Sequence, residues 1–425
     1  MTRLFLISTG VLLGVAGAAH AQPTVSAPPP TSSPGEPPPP TVAPKTDDHE
    51  KTEFNIVPLV GGNSDIGIGA GQLSNISGVK QGIEPFRWQL ETSAFISFKP
   101  QHGSLIVPLQ DYWVAFHLPY QGPRRVRIDA RAAYTDERAL PFYGIGNAST
   151  VPKDIPVEQT QFARIHPTLL LRARMPVYRD VYVTAGDVFT YNRFTVAPTS
   201  VLGQYAATGP ADGRKFVGSF APHSVELAEV GAQYDTRDHQ IDTRSGQFHE
   251  IQFRLSPKLG SALPYDYERI TATTRGYYPV NDRITLSARL VGDVMLGDVP
   301  FYELARYDET PAIGGLNAVR GVPANRYYGK VKLFGNLEAR SDLFGFHFLG
   351  KALKLGVATF FDAGRSWTEL LHSHPDLDGS GVGLKYGVGG GLRLQQSTTF
   401  VLRFDVAYSP DASPVGAYFT AGQIF

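Results

Sequence analysis

The sequence of 425 residues contains no cysteine. This absence excludes a disulfide framework, a zinc site with thiolate ligands, a cysteine nucleophile and lipid attachment to an N-terminal cysteine. Neither sign of charge is in excess, because 39 Lys and Arg residues balance 39 Asp and Glu residues. A strongly basic nucleic-acid-binding protein is therefore not expected, and we predict no nucleic-acid partner.

Long apolar runs are also missing after residue 21. A membrane-spanning helix needs at least about 18 mostly apolar residues, and no later segment approaches that length. Tryptophan and methionine are rare, with three residues each, whereas 20 tyrosines and 25 phenylalanines make the chain rich in aromatic side chains. If the protein lies in a membrane, strands and not helices must cross it.

The first 21 residues have the pattern of a secretory signal peptide. Arg3 supplies the positive charge, Leu4 to Ala18 are mostly apolar, and Ala19-His20-Ala21 is a suitable cleavage site. The alternative is a short membrane anchor. Residues 22–52 are rich in proline and end in a charged run, so we expect a disordered periplasmic linker there.

From residue 53 to residue 425, apolar and polar side chains alternate with the period of two that is typical of strands. Leu333 and Leu337, for example, share one face of a strand, and Glu338 and Arg340 share the other. A soluble sandwich would bury the apolar face, whereas a membrane barrel would turn it to lipid and place the charges in a wet lumen. The alternating segments run for about 10–14 residues. This length favours the barrel, since spanning strands need about 9–11 residues and sandwich strands average about 5–6.

Counting these segments gives sixteen strands, an even number as expected for a single-chain outer-membrane barrel. Long connections follow odd-numbered strands, at 136–158, 196–224, 297–330 and 365–382. The connections after even-numbered strands are mostly tight turns. The sequence therefore predicts an all-β fold, a 16-stranded antiparallel transmembrane β-barrel over 53–425 with long extracellular loops. Its place would be the outer membrane of a Gram-negative bacterium, in contact with outer-membrane lipids and lipopolysaccharide.

Aromatic residues near the strand ends suit the two interfacial girdles of such a barrel, although each one alone fits ordinary packing. They are Trp113, Tyr120, Tyr178, Tyr182, Tyr277, Tyr278 and Phe344.

The closing seam between the first and last strands is predicted to be weakly bonded. Pro58 in the first strand cannot donate a ladder hydrogen bond, and proline belongs on edge strands. The last strand contains Gly416 and Gly422. One interpretation is a lateral gate into the bilayer, and the other is an ordinary closing seam with a bulge.

The connection 297–330 is far longer than a usual loop and has a glycine-rich centre from Gly314 to Val322. Such a loop is either a surface lid or a plug that folds into the lumen. The alternation places Glu338 and Asp362 on the lumenal face of adjacent strands. A guanidinium can bind carboxylates through two parallel hydrogen bonds, so Arg320 could anchor the loop there. The alternative is that Arg320 is a solvated loop residue.

Several motifs together resemble the BamA/TamA superfamily of outer-membrane insertases and translocases, which includes the bacterial surface antigen barrels. Val319-Arg320-Gly321-Val322 is similar to the sixth-loop motif of that superfamily. Phe360 to Gly364, with Asp362 at its centre, resembles the motif of its thirteenth strand, and Glu338 stands where its twelfth-strand carboxylate lies. Further segments resemble a periplasmic-turn signature, a surface-loop signature and the C-terminal sorting signal: Tyr234 to Asp238, Phe142 to Asn147, and Gly422 to Phe425.

The resemblance implies that Glu338 and Asp362 hold Arg320, and that the seam near Pro58 and Gly416 is a gate. It implies a protein, not an enzyme, that inserts or translocates protein or lipid, with nascent outer-membrane or secreted proteins as clients. We expect no cofactor and no bound metal. The competing hypotheses are a passive channel, favoured by a lumen with more Arg than acid, and a surface antigen or adhesin whose loops bind partners.

Two departures from the family pattern affect this hypothesis. Val322 replaces the aromatic residue that usually ends the loop motif, which puts the packing of that position in question. Residues 22–52 leave no room for the periplasmic POTRA domains that usually precede the barrel. The sequence therefore resembles the POTRA-less branch, for which we expect that a separate periplasmic accessory protein could take the place of those domains.

Overall fold

The computed structural model describes residues 51–79, 87–121, 125–152, 154–239, 242–307, 310–311, 313–348, 351–396, 400–411, 415–421, 423 and 425. The expected signal peptide and most of the expected linker therefore lie outside the described residues, as does Gly422.

Sixteen strands, each paired with the next along the chain, form one antiparallel sheet that closes between the first and last strands. This confirms the prediction of a 16-stranded barrel. The fourth and sixth strands each consist of two pieces. In chain order the strands are β1 (Lys51–Asn63), β2 (Gly67–Val79), β3 (Trp88–Gln101), β4 (Ser104–Ile106 and Leu109–Gln121), β5 (Val126–Pro141), β6 (Gln161–Ile165 and Thr168–Tyr178), β7 (Val181–Thr195), β8 (His223–Asp235), β9 (Gly246–Ser256), β10 (Tyr267–Pro279), β11 (Ile284–Gly297), β12 (Val331–Phe348), β13 (Lys351–Trp367), β14 (Lys385–Gln396), β15 (Phe400–Tyr408) and β16 (Gly416–Ala421).

The two faces of the barrel wall differ in polarity as the alternation predicted. On β12, Leu333 and Leu337 are exposed on the outer face, whereas Lys332 and Glu338 are buried on the lumenal face. Because an antiparallel strand turns successive side chains to opposite faces, this pattern repeats around the wall. Exposed outer residues on other strands include Leu286, Leu290, Phe361, Val388, Leu392, Phe404 and Val406.

The expectation of aromatic girdles is only partly met. Tyr178, Tyr278 and Phe344 are exposed on the outer face near strand ends. Tyr277 is instead buried inside the barrel, and Trp113 and Tyr182 contact the guanidinium groups of arginines on neighbouring strands. The prediction was wrong for these three residues, because position near a strand end does not determine which face a side chain occupies.

The end of the barrel that carries the long connections, called the loop end below, is covered by an apolar cap. The cap includes a short helix α1 (Val201–Thr208), whose first turn is capped by the Ser200 hydroxyl accepting from the Gly203 amide. Two further helical turns follow, α2 (Ala211–Arg214) and α3 (Pro375–Asp378). Among the described residues, none of the helices has the length and apolar character of a membrane-spanning helix.

The cap has a continuous hydrophobic core that draws on several loops. Leu202, Phe301 and Leu304 in this core have at most 1% of their surface exposed. Tyr302 stacks under the guanidinium of Arg164 at 4.0 Å, and its hydroxyl lies 3.0 Å from His223 Nε2. The loops at this end are therefore packed against one another.

Candidate functional site

The connection between β11 and β12 enters the lumen of the barrel. It contains a 3-10 turn (Phe301–Ala305) and a two-residue hairpin (Arg306–Tyr307 with Thr310–Pro311) before it reaches Val319. Val319 and Val322 are completely buried and pack against Val291 and Phe334 of the barrel wall. The loop is therefore a plug on the lumenal side and not a surface lid.

Arg320 at the tip of this loop makes a bidentate ion pair with Asp362 on β13. Its Nε lies 2.7 Å from Oδ2 and its Nη2 lies 3.0 Å from Oδ1. The backbone amide of Arg320 donates to the same carboxylate at 3.1 Å. Both side chains are fully buried, so the contact is shielded from water and holds the loop in one orientation.

Two further carboxylates share the remaining nitrogen of Arg320. Nη1 donates to Glu338 at 2.8 Å and to Asp405 on β15 at 3.0 Å. The guanidinium also lies 3.3 Å over the ring of Phe360. The structure thus brings together the three residues that the sequence singled out, Arg320, Glu338 and Asp362. Sequence reasoning missed Asp405 and Phe360, although the alternation did place Asp405 on the lumenal face.

More arginines surround these carboxylates. Glu338 Oε1 accepts from Arg340 at 2.7 Å and from Arg393 at 3.3 Å, and Arg393 also reaches Asp405 at 2.5 Å. Arg403 Nε lies 3.5 Å from Asp405 Oδ2. Four guanidinium groups therefore surround three carboxylates in a buried cluster, which leaves one unit of positive charge. The hydrogen bonds between opposite charges offset the cost of removing them from water.

Glycines permit the close approach of the loop to the wall. A Cβ on Gly387 of β14 would lie 1.7 Å from the carbonyl oxygen of Arg320. A Cβ on Gly364 would lie 2.6 Å from Phe334 Cβ and 2.8 Å from Ile313 Cδ1. Gly321 has φ of +93°, a conformation that side-chain-bearing residues rarely adopt. Gly321 of the loop motif and Gly364 of the strand motif are therefore required by the backbone geometry around Arg320.

Val322 packs well although it is not aromatic. Its carbonyl oxygen accepts from Gly315 N at 2.9 Å, and its amide donates to Val319 O at 3.3 Å. These bonds close the glycine-rich centre of the loop into a compact turn. The position that departs from the family motif is therefore completely buried and hydrogen-bonded through its backbone.

The seam between β1 and β16 is short. Only two register pairs join these strands among the described residues, Gly62 with Phe419 and Asn63 with Tyr418. The amide of Ser64 adds one hydrogen bond to Ala417 O at 3.1 Å. By contrast, β1 pairs with β2 over all 13 of its residues. All described seam contacts therefore lie at the loop end.

Pro58 lies on the part of β1 that has no described pairing with β16. Gly416 begins β16, and a Cβ there would lie 3.1 Å from Gly321 Cα. The next lumenal residue, Tyr418, accepts a hydrogen bond from the amide of Gly321 at 2.8 Å. Tyr418 therefore connects the loop motif directly to the last strand.

The C-terminal Phe425 is not aligned with β1. It is 6% exposed and lies inside the barrel against Tyr277 of β10. Arg340 of β12 donates to its carbonyl oxygen at 3.1 Å. The sequence predicted a role for Phe425 as a sorting signal but gave no indication of this position.

Opposite ends of the barrel hold the two remaining motifs, the surface-loop motif (Phe142 to Asn147) and the periplasmic-turn motif (Tyr234 to Asp238). Phe142 is completely buried in the cap, and the Asn147 amide donates to Gly383 O at 2.8 Å. At the other end, called the turn end below, Arg237 forms an ion pair with Asp235 at 2.8 Å. The amides of Arg244 and Ser245 donate to Asp238. Both motifs therefore stabilise connections between strands.

A closed barrel with an apolar outer face, a buried charge cluster and an internal loop defines a transmembrane β-barrel of the outer-membrane type. Residues 178–425, more than half of the chain, match the Omp85 superfamily domain. The chain belongs to the Omp85 superfamily, a superfamily of insertases and translocators. A comparison of the sequence with curated protein sequences finds no match.

Solved structures of the same superfamily share the fold at low sequence identity. BamA from Haemophilus ducreyi, in a crystal structure lacking POTRA domains 1–3, is 14% identical with a TM-score of 0.57. The match covers 88% of this chain and 70% of that one. CdiB from Escherichia coli is 13% identical with a TM-score of 0.53, and the match covers 87% of this chain and 62% of that one. This chain thus spans under two thirds of CdiB and somewhat more of the BamA fragment.

Proposed function

We propose that this barrel inserts or translocates polypeptide at the outer membrane through the seam between β1 and β16. The observation that carries the proposal is the restriction of the described seam pairing to Gly62, Asn63 and the adjacent Ser64. The edge of β1 toward the turn end can offer its backbone groups to an incoming strand. Strand addition to an exposed sheet edge is a general mode of peptide recognition.

The geometry of the wall supports a low barrier at the seam. β16 is a strand over six described residues, whereas a spanning strand needs about 9–11. A short strand matches a thinner layer of hydrocarbon, so lipid beside the seam would be thinned and easier to displace. Exposed apolar residues of β1, such as Phe54 and Val60, face this lipid.

The charge cluster around Arg320 holds the loop in place and performs no chemistry in this mechanism. Because Gly321 donates to Tyr418 of β16, the seated loop also fixes the loop end of the last strand. Opening would therefore move β1 away from a β16 that the loop holds in place, and it requires the loop-end contacts between β1 and β16 to separate.

The cellular setting follows from the same proposal. Residues 1–21 would direct export and be cleaved off, and 22–52 would form a periplasmic linker ahead of the barrel in the outer membrane of a Gram-negative bacterium. Outer-membrane lipids and lipopolysaccharide would surround the apolar face. Nascent outer-membrane or secreted proteins would be the clients, delivered by a separate periplasmic accessory protein.

A disulfide across the seam tests this proposal. The protein has no cysteine of its own, so Ser64→Cys with Ala417→Cys introduces a single pair of thiols. Hydrogen-bonded antiparallel neighbours have Cα atoms about 5.5 Å apart, within the range of a disulfide. The oxidised variant in liposomes is expected to lose its acceleration of the folding of a small, unrelated outer-membrane barrel. Reduction should restore that acceleration.

The matched control is a disulfide between two strands away from the seam. Ser74 and Thr92 are register partners on β2 and β3, and their hydroxyl oxygens lie 2.8 Å apart. Ser74→Cys with Thr92→Cys should leave the acceleration unchanged in either redox state. The proposal is wrong if the wild-type protein does not outperform empty liposomes, or if the seam disulfide has no effect.

The competing function is a passive channel, for which the excess of arginine in the lumenal cluster is the specific support. A channel predicts steady, anion-preferring conductance that the seam disulfide does not alter. The loop that crosses the lumen and the packed cap argue for low conductance. Planar-bilayer recordings of the oxidised and reduced seam variant distinguish the two functions.

A further inference from the structure

The hairpin of β12 and β13 extends past its neighbours at the turn end. β12 pairs with β11 only as far as Ser341, and β13 pairs with β14 only from Lys354 onward. Beyond these positions, the described residues of the two strands pair only with each other. This projecting part and the pairs at its base, residues 344–348 with 351–355, are called the ribbon below.

A β-bulge makes the outward face of the ribbon apolar. The register shifts between Asp342 and Phe344, which adds one residue to β12. Odd-numbered residues such as Leu337 therefore face outward before the bulge, and even-numbered residues face outward after it. Directly opposed residues of the hairpin share a face. The outward face of the ribbon consists of three aromatic and two aliphatic side chains: Phe344, Phe346, Phe348, Leu353 and Leu355.

The ribbon extends beyond the hydrocarbon layer of the membrane. Leu333, which is exposed on the outward face of the same strand, precedes Phe348 by 15 residues. Strand rise and tilt convert this separation to about 35 Å along the membrane normal, whereas the apolar band of such a barrel is about 25 Å tall. Phe344 and Phe348 are 57% and 48% exposed. An exposed apolar patch outside the lipid indicates an interaction site.

The aromatic side chains form a surface that is suited to proline. The ring centres of Phe344 and Phe346 are 6.1 Å apart, and the ring planes are inclined by 52°. The two rings therefore leave a cleft between them instead of stacking face to face. The opposite face of the ribbon is polar, because His347 is exposed there and Lys354 binds Asp342 at 2.8 Å. Polyproline II segments are recognised by aromatic-lined grooves.

A proline-rich segment of this chain joins the barrel at the same end. β1 begins with Lys51 at the turn end. Residues 22–50, which precede it and lie outside the described residues, contain ten prolines, four of them consecutive from Pro37 to Pro40. Such sequences favour the extended polyproline II conformation, which has no internal hydrogen bonds. The segment therefore has the chemistry that the aromatic face of the ribbon accepts.

The connecting chain is long enough for the two to meet. Four strand spacings separate β1 from β13 around the closed wall by way of β16, β15 and β14, which is about 20 Å. Pro40 precedes Lys51 by 11 residues, and these span about 34 Å in the polyproline II conformation. The run from Pro37 to Pro40 can therefore reach the ribbon.

We propose that the outward face of the ribbon is the docking site of this chain's own proline-rich segment. The prolines from Pro37 to Pro40 pack against the rings of Phe344, Phe346 and Phe348. Docking covers the apolar face that lipid does not reach, and it holds the segment along the turn end past β16, β15 and β14. This inference does not depend on whether the barrel inserts polypeptide or conducts ions.

Photo-cross-linking within the full chain tests what covers the ribbon. The protein that begins at Gln22 carries p-benzoylphenylalanine in place of Phe348 and is reconstituted into liposomes of phosphatidylethanolamine and phosphatidylglycerol. Irradiation should join the probe to a residue within 22–50, as read by mass spectrometry of a product that migrates as a monomer. The matched control carries the probe in place of Tyr278, which is exposed on the outer face near the turn end of β10 and should cross-link to lipid.

Substitutions in the ribbon test whether its aromatic face is the cause. Phe344→Ser with Phe346→Ser should reduce the cross-link from position 348 about tenfold or more, because the apolar contact with the prolines is lost. His347→Ser on the opposite face is the control and should leave the yield unchanged. Heat-dependent gel mobility reports whether each variant is folded. If the protein with the probe at 348 does not fold, Phe344 is the second position for the probe.

Three results would overturn the docking proposal. Lipid adducts at position 348 as abundant as those at Tyr278 would show that the ribbon lies in the membrane interface. Cross-linked dimers would show that a second copy of the chain covers it. A folded protein without any cross-link to 22–50 would show that the segment does not bind there. Because the assay contains no client barrel, each result is independent of the folding experiment in liposomes.

Discussion

Gly387 of β14 lies directly against the carbonyl oxygen of Arg320, so close that a Cβ would stand 1.7 Å from that oxygen. No side-chain-bearing residue fits at this position while the loop is seated. The wall and the loop are therefore complementary at the backbone level, in addition to the ion pairs that Arg320 makes.

Gly387→Ala is expected to displace the loop from the lumen. Overpacking a buried contact typically costs about 1–3 kcal/mol, which should lower the temperature at which the barrel unfolds in heat-dependent gel mobility. Displacement should also expose Arg320 to trypsin. Gly292→Ala on β11 is the control, because its Cβ would meet nothing closer than Leu333 Cδ1 at 3.9 Å. An unchanged unfolding temperature for Gly387→Ala would contradict the geometry.

Arg320→Ala should be strongly destabilising, because it leaves Asp362 and its neighbouring carboxylates buried without their shared partner. Breaking a buried ion pair by removing one member costs about 3–5 kcal/mol. Arg320→Lys should recover only part of this loss, since an ammonium cannot make the two parallel bonds to Asp362. The measurement is the free energy of unfolding in urea from detergent. Lys215→Ala, which removes an exposed partner of the exposed Asp212, should cost less than about 1 kcal/mol.

Phe360→Leu tests the contact of the Arg320 guanidinium with an aromatic face at 3.3 Å. The substitution keeps an apolar side chain but removes the π face, and a desolvated cation–π contact is worth about 2 kcal/mol. The adjacent Phe361 points outward and is 47% exposed. Phe361→Leu should therefore change stability by less than about 0.5 kcal/mol in the same urea titration. Equal effects of the two substitutions would show that the contact contributes nothing.

Asp65, in the turn between β1 and β2, should make the loop end of the seam sensitive to pH. Burial raises the pKa of Asp65 from 3.8 to about 6, although the amide of Ala324 and the charge of Lys99 act in the opposite direction. The folded protein therefore holds this proton more tightly than the unfolded chain does. The associated stability is fully present below about pH 4 and is lost as the pH rises through about 6.

Asp65→Asn cannot ionise and should not show that loss. The unfolding temperature of the wild type, measured relative to the variant, should therefore fall between pH 4 and pH 7. The exposed Asp154 provides the control, and Asp154→Asn should leave the pH profile of the wild type unchanged. A constant difference between wild type and Asp65→Asn across this range would disprove the prediction.

Much of the architecture followed from local pattern. The alternation placed Glu338, Asp362 and Asp405 on the lumenal face, and the register shows why two of them meet at Arg320. Asp362 pairs with Asn336, so Glu338 is its diagonal neighbour on the adjacent strand. The three misassigned girdle aromatics show the limit of that reasoning, because residues at strand ends were assigned by position and not by face.

The sequence by itself determined the number of strands, their direction and the polarity of each face, because these depend on a period of two and on the lengths of connections. Only the tertiary structure decided what meets inside the barrel. The contact of Gly387 with Arg320, the bond from Gly321 to Tyr418 and the position of Phe425 against Arg340 each join residues far apart in the chain. Such contacts depend on barrel closure and on the path of a long loop, and no local pattern encodes either.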